Sequence, residues 1–469
     1  MTEHSGPGRG TGTVQAVPPL RQARSGAGEA QASRGGRHAR RRDTDLPDDP
    51  FVSRWHRARM GRRPLLDGRP AVILLASLIV ALLAASAAPT PLYAIYQAQW
   101  HFTPITTTIV FGVYAVAVLV SLLVLGKLSD HLGRRPVLIA AIAVHVSSLV
   151  IFVTASGVPM LLAARIVQGL STGAALGAIG AAMLDMDREL GTFANSVSPG
   201  IGSASGAILS ALAVRFLPAP THLIYLVLAG VFVLEVAGIV CMRETVTPQR
   251  GALASLRPEI KLPRTLRAPV LTAVPVLFAV WALAGLYGAL GPALVHTLTG
   301  SGDVVLDSLG FFLLAATAVA SIVVLRRTAA RTVMLVGILA LIGGVAVTVA
   351  AVSLGSPALF FAGSAIAGVG FGSGFQGGIR TVVPLAAPHE RAGVVSLLYV
   401  VSYLGLGVPA VAAGFLVVHG GGLIDTARYY GVAVILLAAA ALAGLASTRP
   451  ARTAARDTQP ATGPAQGIR

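Results

Sequence analysis

Charge is scarce in this sequence. Only 12% of its 469 residues are Asp, Glu, Lys or Arg, about half of what a soluble domain carries, so most of the chain does not read as a water-exposed globule. Acids are the scarcer sign, 19 against 36 Lys and Arg, which leaves a net charge of +17. Cysteine occurs once, as Cys241 inside an apolar run, which excludes a disulfide framework and a paired-thiol metal site. There is no Gly-x-x-x-x-Gly-Lys-Ser/Thr loop to bind a nucleotide, no His-Glu-x-x-His pair and no serine nucleophile elbow. The sequence therefore reads as a protein that is not an enzyme and needs no cofactor or metal. The basic excess lies in tails and loops without an aromatic-basic platform, so nucleic acid is not read as a partner.

What the chain has in abundance is apolar surface: 54% of its residues are hydrophobic and the mean hydropathy is +0.75. The excess is uneven. Residues 1–69 are rich in Arg, Gly, Ser and Pro and read as a disordered basic tail that touches anionic lipid. From Ala71 onward, apolar runs of roughly 20 residues recur, each long enough to cross a ~30 Å hydrocarbon layer as a helix. The runs are continuous rather than alternating, which favours helices over a barrel. The pattern predicts twelve spans, over 71–94, 105–127, 136–155, 159–184, 195–215, 221–242, 271–294, 304–325, 332–353, 357–380, 391–417 and 429–447. The fold class is thus all-α integral membrane, with twelve transmembrane helices in two pseudo-symmetric six-helix bundles. The longest connection, 243–270, is polar, basic and proline-interrupted. It separates a bundle over 70–242 from one over 271–447, and residues 448–469 read as a second disordered tail.

Lys and Arg crowd the connections on one side of this topology: Lys127, Arg134, Arg135, Arg188, the 243–270 loop, Arg326, Arg327, Arg331, Arg380 and Arg391. The other side holds only Arg215 and Arg428, both at span ends. Positive residues stay inside, so both termini are expected in the cytoplasm of a multi-pass plasma (inner) membrane protein. An internal echo supports duplication: Gly169 and Gly173 in span 4 match Gly368 and Gly372 in span 10 at the same spacing. Glycines four apart flatten one helix face and permit close contact.

The turn after span 2, "GKLSDHLGRR", concentrates polarity. Gly126 lets helices approach, Gly133 and Pro136 shape a tight turn, and Arg134 and Arg135 can grip headgroups or a carboxylate. Asp130 needs a partner or a helix N-terminus to face. The stretch resembles the signature loop of the major facilitator superfamily, G-x-L-[AS]-D-x-x-G-[RK]-[RK], at Gly126, Leu128, Asp130, Gly133, Arg134 and Arg135. "RIVQG", Arg165 to Gly169, resembles that family's span 4 motif. The texture, including "PTPLYAIY" at the end of span 1, looks like actinobacterial permeases of drug-exporter type. The resemblance implies a conformational latch of Gly126, Asp130, Gly133, Arg134, Arg135 and Asp185. In it Asp130 caps the start of span 11, near Arg391, and Arg134 pairs with Asp185 or Asp187. Two departures stand out. The matching loop "LRRTAAR" between spans 8 and 9 lacks the glycines and the acid, and "SPGIGSASGAILS" in span 5 matches the antiporter motif only in part.

Ionisable groups within spans are costly and hence candidate sites. Arg165 and its neighbour Gln168 are candidates for coupling. Glu235, in span 6, is the candidate proton carrier. His145 reads as a satisfied core histidine and Asp307 as a first-turn acid of span 8. Spans 1, 4, 7 and 10 line the cavity in the family, which implies Trp281, Tyr287 and Gln376 as substrate contacts, with Tyr93 and Trp100 as interface anchors. Tyr403, one turn from Tyr399, is added from span 11. Few fixed charges face such a cavity, which favours a weakly polar or amphipathic solute. The expected function is secondary transport by alternating access, as proton-coupled efflux by a monomer. An uptake permease and a non-transporting sensor of the same fold are the alternatives.

Overall fold

The computed structural model describes residues 65–258, 260, 262–387 and 390–447. Of the tails read over 1–69 and 448–469, residues 1–64 and 448–469 lie outside the described residues. Among the described residues, twelve helices are long and apolar enough to cross a membrane: Arg69–Trp100, Pro104–Leu125, Arg134–Val153, Val158–Met186, Arg188–Phe216, Pro220–Cys241, Arg264–Thr299, Val304–Val324, Ala330–Leu354, Pro357–Leu385, Arg391–His419 and Gly422–Ser447. They are numbered here as spans 1 to 12. Among the described residues there is no strand, only an isolated parallel bridge between Leu66 and Met242. That bridge ties the chain before span 1 to the end of span 6, reinforced by an ion pair from Arg243 to Asp67 at 3.0 Å.

Prolines set several helix starts, because a first-turn N–H has no intrahelical partner to lose. Pro104, Pro159, Pro220 and Pro357 all sit at such positions. Span 1 contains an internal restart. Its first segment ends at Ala87, Ala88 keeps helical angles, and Pro89 and Pro91 open a second segment that runs to Trp100. The span therefore extends further than the apolar run 71–94.

Each bundle has a large apolar core. One joins side chains of spans 1 to 6, including Leu75, Leu78, Ile142, Phe152, Ile179 and Phe232. The other joins spans 7 to 12, including Val280, Leu286, Leu341, Phe360, Ala410 and Val434. The halves repeat one another in detail. A Cβ on Gly169 would lie 2.8 Å from Tyr114 O, and one on Gly173 would lie 2.6 Å from Val118 O, both on span 2. Their counterparts Gly368 and Gly372 press equally on Leu314 and Ala318 of span 8. Span 5 likewise lies on span 1 through Gly202 and Gly206, against Val80 and Ala84, as span 11 lies on span 7 through Gly405, against Phe278.

The bundles meet along two seams, span 2 with span 11 and span 5 with span 8. Thr108 touches Gly414, Gly112 touches Val411, and Gly200 touches Val319. We call the side carrying the 126–133 turn the basic face, and the opposite side the far face. At the far face Arg215, ending span 5, pairs with Asp303, just before span 8, at 2.5 Å. Asp303 Oδ1 also accepts from Val305 N at 3.0 Å, so one residue caps span 8 and links the bundles. Outside the seams, spans 1, 5 and 6 border an all-apolar groove of about 460 Å³ lined by residues such as Ala84, Leu209, Phe216 and Val227.

Candidate functional site

On the basic face the chain leaves span 2, makes one helical turn over Leu128–Leu132, and reverses at Gly133. Gly133 has φ of +99°, a conformation that L side chains rarely adopt. Span 3 then begins directly at Arg134 without a cap of its own. Glu244, just past span 6, supplies it: Arg134 N donates to Oε1 at 2.8 Å and Arg135 N donates to Oε2 at 3.0 Å. A carboxylate at a helix N-terminus satisfies orphan donors and the helix dipole together. Arg135 does the converse at the end of span 6, donating to the carbonyls of Ile239 and Val240. Gly126 sits where span 4 crosses, 3.1 Å from the position a Cβ on Gly177 would take.

Arg134 is buried with its side chain only 8% exposed. It donates to Ser129 Oγ at 2.7 Å, to Asp130, and to Asp185 Oδ2 at 3.2 Å. Thr245 Oγ1 donates to the same Asp185 oxygen at 2.9 Å. Asp187 is engaged elsewhere and caps span 5, accepting from Glu189 N and Leu190 N. The polar turn therefore ties spans 3, 4 and 6 of one bundle. The carboxylate of Asp130 pairs with Arg134 of its own bundle, and the first turn of span 11 carries no side-chain cap. Arg391, at that start, donates instead to Ala386 O at 3.2 Å.

Deeper in the first bundle, Arg165 is completely enclosed. Its Nε and Nη2 donate to Tyr93 Oη at 3.0 and 2.5 Å, and its Nη1 to Ser86 O at 2.9 Å and Gln168 Oε1 at 2.7 Å. Its guanidinium carbon lies over the rings of Tyr93, Tyr114 and Phe152, at 5.6, 5.2 and 5.8 Å. No carboxylate among the described residues pairs with it. The restart in span 1 makes the network possible. Pro89 has no N–H to give Ala85 O, and Gln168 Nε2 donates to that carbonyl instead, at 3.0 Å. Tyr114 closes the group by donating to Ser86 Oγ at 2.8 Å.

A cluster of rings lies at mid-depth, where spans 7, 10 and 11 face span 2. Trp281 meets Phe371 and Phe375 edge-on, with centroids at 5.9 and 5.6 Å, and tilts against Tyr403 at 5.4 Å. Tyr399 follows Tyr403 at 6.4 Å. Tyr114, Ala115 and Leu119 bring span 2 into the same apolar contact. Trp281 and Tyr403 are thus together. Tyr287 is elsewhere, buried inside the second bundle, hydrogen-bonded with Ser364 Oγ at 2.8 Å and stacked on Phe360. Gln376 follows Gly372 by one turn on the side facing span 8, and its Oε1 is covered and unpartnered. Glu235 is buried beside Ser77 of span 1, and its Oε2 has no partner. His145 Nδ1 meets Ser171 Oγ at 2.9 Å and its ring leans on Phe232. Asp307, in the first turn of span 8, lies 3.4 Å from His296 Nδ1.

Some of these participants had no sequence signal. Glu244 lies over a hundred residues from the turn it caps. Arg215 and Asp303 sit in ordinary-looking connections, and Phe371 and Phe375 sit among glycines like any apolar filler. A four-residue spacing shared by Phe371 and Phe375 is the one hint that they occupy a common face.

Two repeated six-helix bundles joined along small-residue seams, with the polar turn at one end, are the architecture of a secondary transporter. Residues 73–346 match the Major Facilitator Superfamily, and the chain belongs to that superfamily. Solved structures agree in fold. The chain is similar to the nucleoside transporter NupG, at 16% identity and a TM-score of 0.60, covering 81% of this chain and 100% of that one. It is similar to a bacterial homologue of the human lysosomal transporter Spinster in an inward-facing, occupied conformation, at 12% identity and a TM-score of 0.63, covering 80% and 96%. It is also similar to the human organic anion transporter MFSD10 (TETRAN), at 18% identity and a TM-score of 0.58, covering 79% and 98%. No curated protein matches the sequence.

Proposed function

We propose that the chain is a monomeric secondary carrier of the plasma membrane that exports a small, weakly polar or amphipathic solute by alternating access, driven by protons, in the manner of drug exporters. The observation that carries this reading is the contrast between the two faces. At the far face Arg215 and Asp303 link the bundles, while at the basic face Asp130 is paired within its own bundle. A carrier that rocks about its midplane needs contacts that form at one face while others part at the opposite one. The basic face is assigned to the cytoplasm by its surplus of Lys and Arg, which puts both termini there. In the reverse pose Asp130 turns to the start of span 11, and Gly126, Gly133, Arg134, Arg135 and Asp185 hold the turn that aims it. Arg165 and Gln168 couple the restart of span 1 to span 4, and Glu235 carries the proton.

The test is solute counterflow in proteoliposomes. The native chain should show saturable counterflow, and Asp130→Asn should insert normally yet slow it by about tenfold, as expected for loss of a charge-assisted contact. Absence of counterflow for every solute tried, from correctly inserted protein, would remove the transport reading. Glu235→Gln should leave counterflow intact while abolishing its response to an imposed pH gradient. An unaltered response would clear Glu235 of the coupling role.

A further inference from the structure

Most tyrosines packed inside this protein have partners for their hydroxyls. Tyr93 receives from Arg165, Tyr96 donates to Tyr225, Tyr114 donates to Ser86, Tyr287 bonds with Ser364, and Tyr430 donates to Ala282 O. Tyr399 and Tyr403, neighbours on one face of span 11, bond to no described residue through their hydroxyls. Both stand in the mid-depth ring cluster, and Trp281 in the same cluster has a covered indole N–H with no acceptor. One covered donor, the Trp281 N–H, thus lacks an acceptor, and two hydroxyls beside it bond to no described residue. A buried donor without an acceptor costs ~1–3 kcal/mol, so the Trp281 N–H at the meeting of the two bundles asks for a partner outside the protein.

The surroundings narrow what that explanation is. Phe371 and Phe375 present edges to the Trp281 ring, at interplanar angles of 73° and 77°. Rings arranged edge to face accept a further flat ring without losing their favourable quadrupole geometry. The walls are aromatic and aliphatic side chains, and Arg165, whose guanidinium lies over the outer side of the Tyr114 ring at 5.2 Å, spends its donors on Tyr93, Ser86 and Gln168. An anion would meet that charge only across the Tyr114 ring, with no N–H of Arg165 left to bind it.

We propose that this ring cluster is the solute site, and that it selects a flat, uncharged heteroaromatic molecule whose ring acceptors receive the Trp281 N–H and the Tyr399 and Tyr403 hydroxyls. The proposal rests on the transport reading above and names its substrate class. Spans 7, 10 and 11 supply the aromatic walls, and Tyr114 and Leu119 of span 2 close them from the other bundle, so occupancy is sensed by both halves.

Equilibrium binding to the full chain in lipid nanodiscs tests it with quinoxaline (flat, neutral, with ring acceptors), naphthalene (the same outline without acceptors) and tetraphenylphosphonium (a bulky cation). Quinoxaline should bind saturably and more tightly than naphthalene. Trp281→Phe should weaken quinoxaline by about tenfold, the scale of one lost hydrogen bond, and leave naphthalene unchanged. Equal quinoxaline affinity in Trp281→Phe, or tetraphenylphosphonium binding more tightly than quinoxaline, would overturn the proposal. Should Trp281→Phe fail to fold, the Trp55→Phe/Trp100→Phe protein keeps Trp281 as its sole indole. Its emission should then be quenched saturably by quinoxaline and not by the cation, and lack of quenching counts against the site. Counterflow is scored separately. Carriage of other solutes without quinoxaline binding would sink the substrate class and leave transport standing. Quinoxaline binding without counterflow of any solute would sink transport and leave the site.

Discussion

Arg165 illustrates what one residue can hold together. A guanidinium enclosed in apolar surroundings is expensive unless every donor is used. Here the donors go to a phenol, a backbone carbonyl and an amide, and the charge is spread over three ring faces. Arg165→Leu should therefore destabilise the protein, by ~1–3 kcal/mol for each of Ser86 O, Gln168 and Tyr93 left unpaired. Thermal unfolding in detergent measures this. Arg165→Lys should fall between, since one ammonium on a flexible stem cannot reproduce the planar fork. A leucine variant as stable as the native chain would mean the network is dispensable to folding and kept for transport alone. The residues of this group were legible from the sequence only as types. An arginine inside an apolar run announces itself, but Ala85 O joins because Pro89, four positions later, withholds an N–H, a consequence visible only once the helix is built.

At the scale of elements, glycine strips decide which helices touch. Gly173 of span 4 and Gly372 of span 10 each abut backbone of the helix two spans before them, whereas Gly343 in span 9 has nothing within 4 Å of its would-be Cβ. Gly372→Ala and Gly173→Ala should each lower the unfolding temperature and the yield of folded protein, because backbone cannot step aside as a side chain would. Gly343→Ala should be neutral or raise it slightly, gaining up to ~1 kcal/mol of helix propensity. Equal behaviour of all three would mean that the strips do not set the contacts. These elements were also the most legible part of the fold. A run of apolar residues long enough to cross a bilayer is a local property, and so is a four-residue glycine spacing. What stayed hidden was pairing across long separations. Nothing near Glu244 indicates that it starts span 3, and nothing near the apparently ordinary Phe371 and Phe375 indicates that they flank Trp281. Tyr287 carried the same sequence signal as Tyr403, yet its position on the helix turns it toward Ser364 and away from the seam.

At the scale of the whole molecule, the question is which pose the two bundles prefer. The Arg215–Asp303 pair crosses between them at the far face, so removing its charge should shift the population toward the pose closed at the basic face. Asp303→Asn is the informative change, because asparagine still caps span 8 while losing the charge. Spin labels at the far-face ends of spans 5 and 8 should then report a larger share of long distances. The reversed pair, Arg215→Asp with Asp303→Arg, should recover part of the native distribution, and a distribution unmoved by Asp303→Asn would remove the pair from the conformational balance.

The same pair is half in water, with Arg215 50% and Asp303 34% exposed. Dissolved ions screen such an attraction over a length that shrinks to ~3 Å at molar strength. Salinity in the medium bathing that face thus acts on the protein directly, loosening its resting pose in brine and tightening it in fresh water, without any ligand binding.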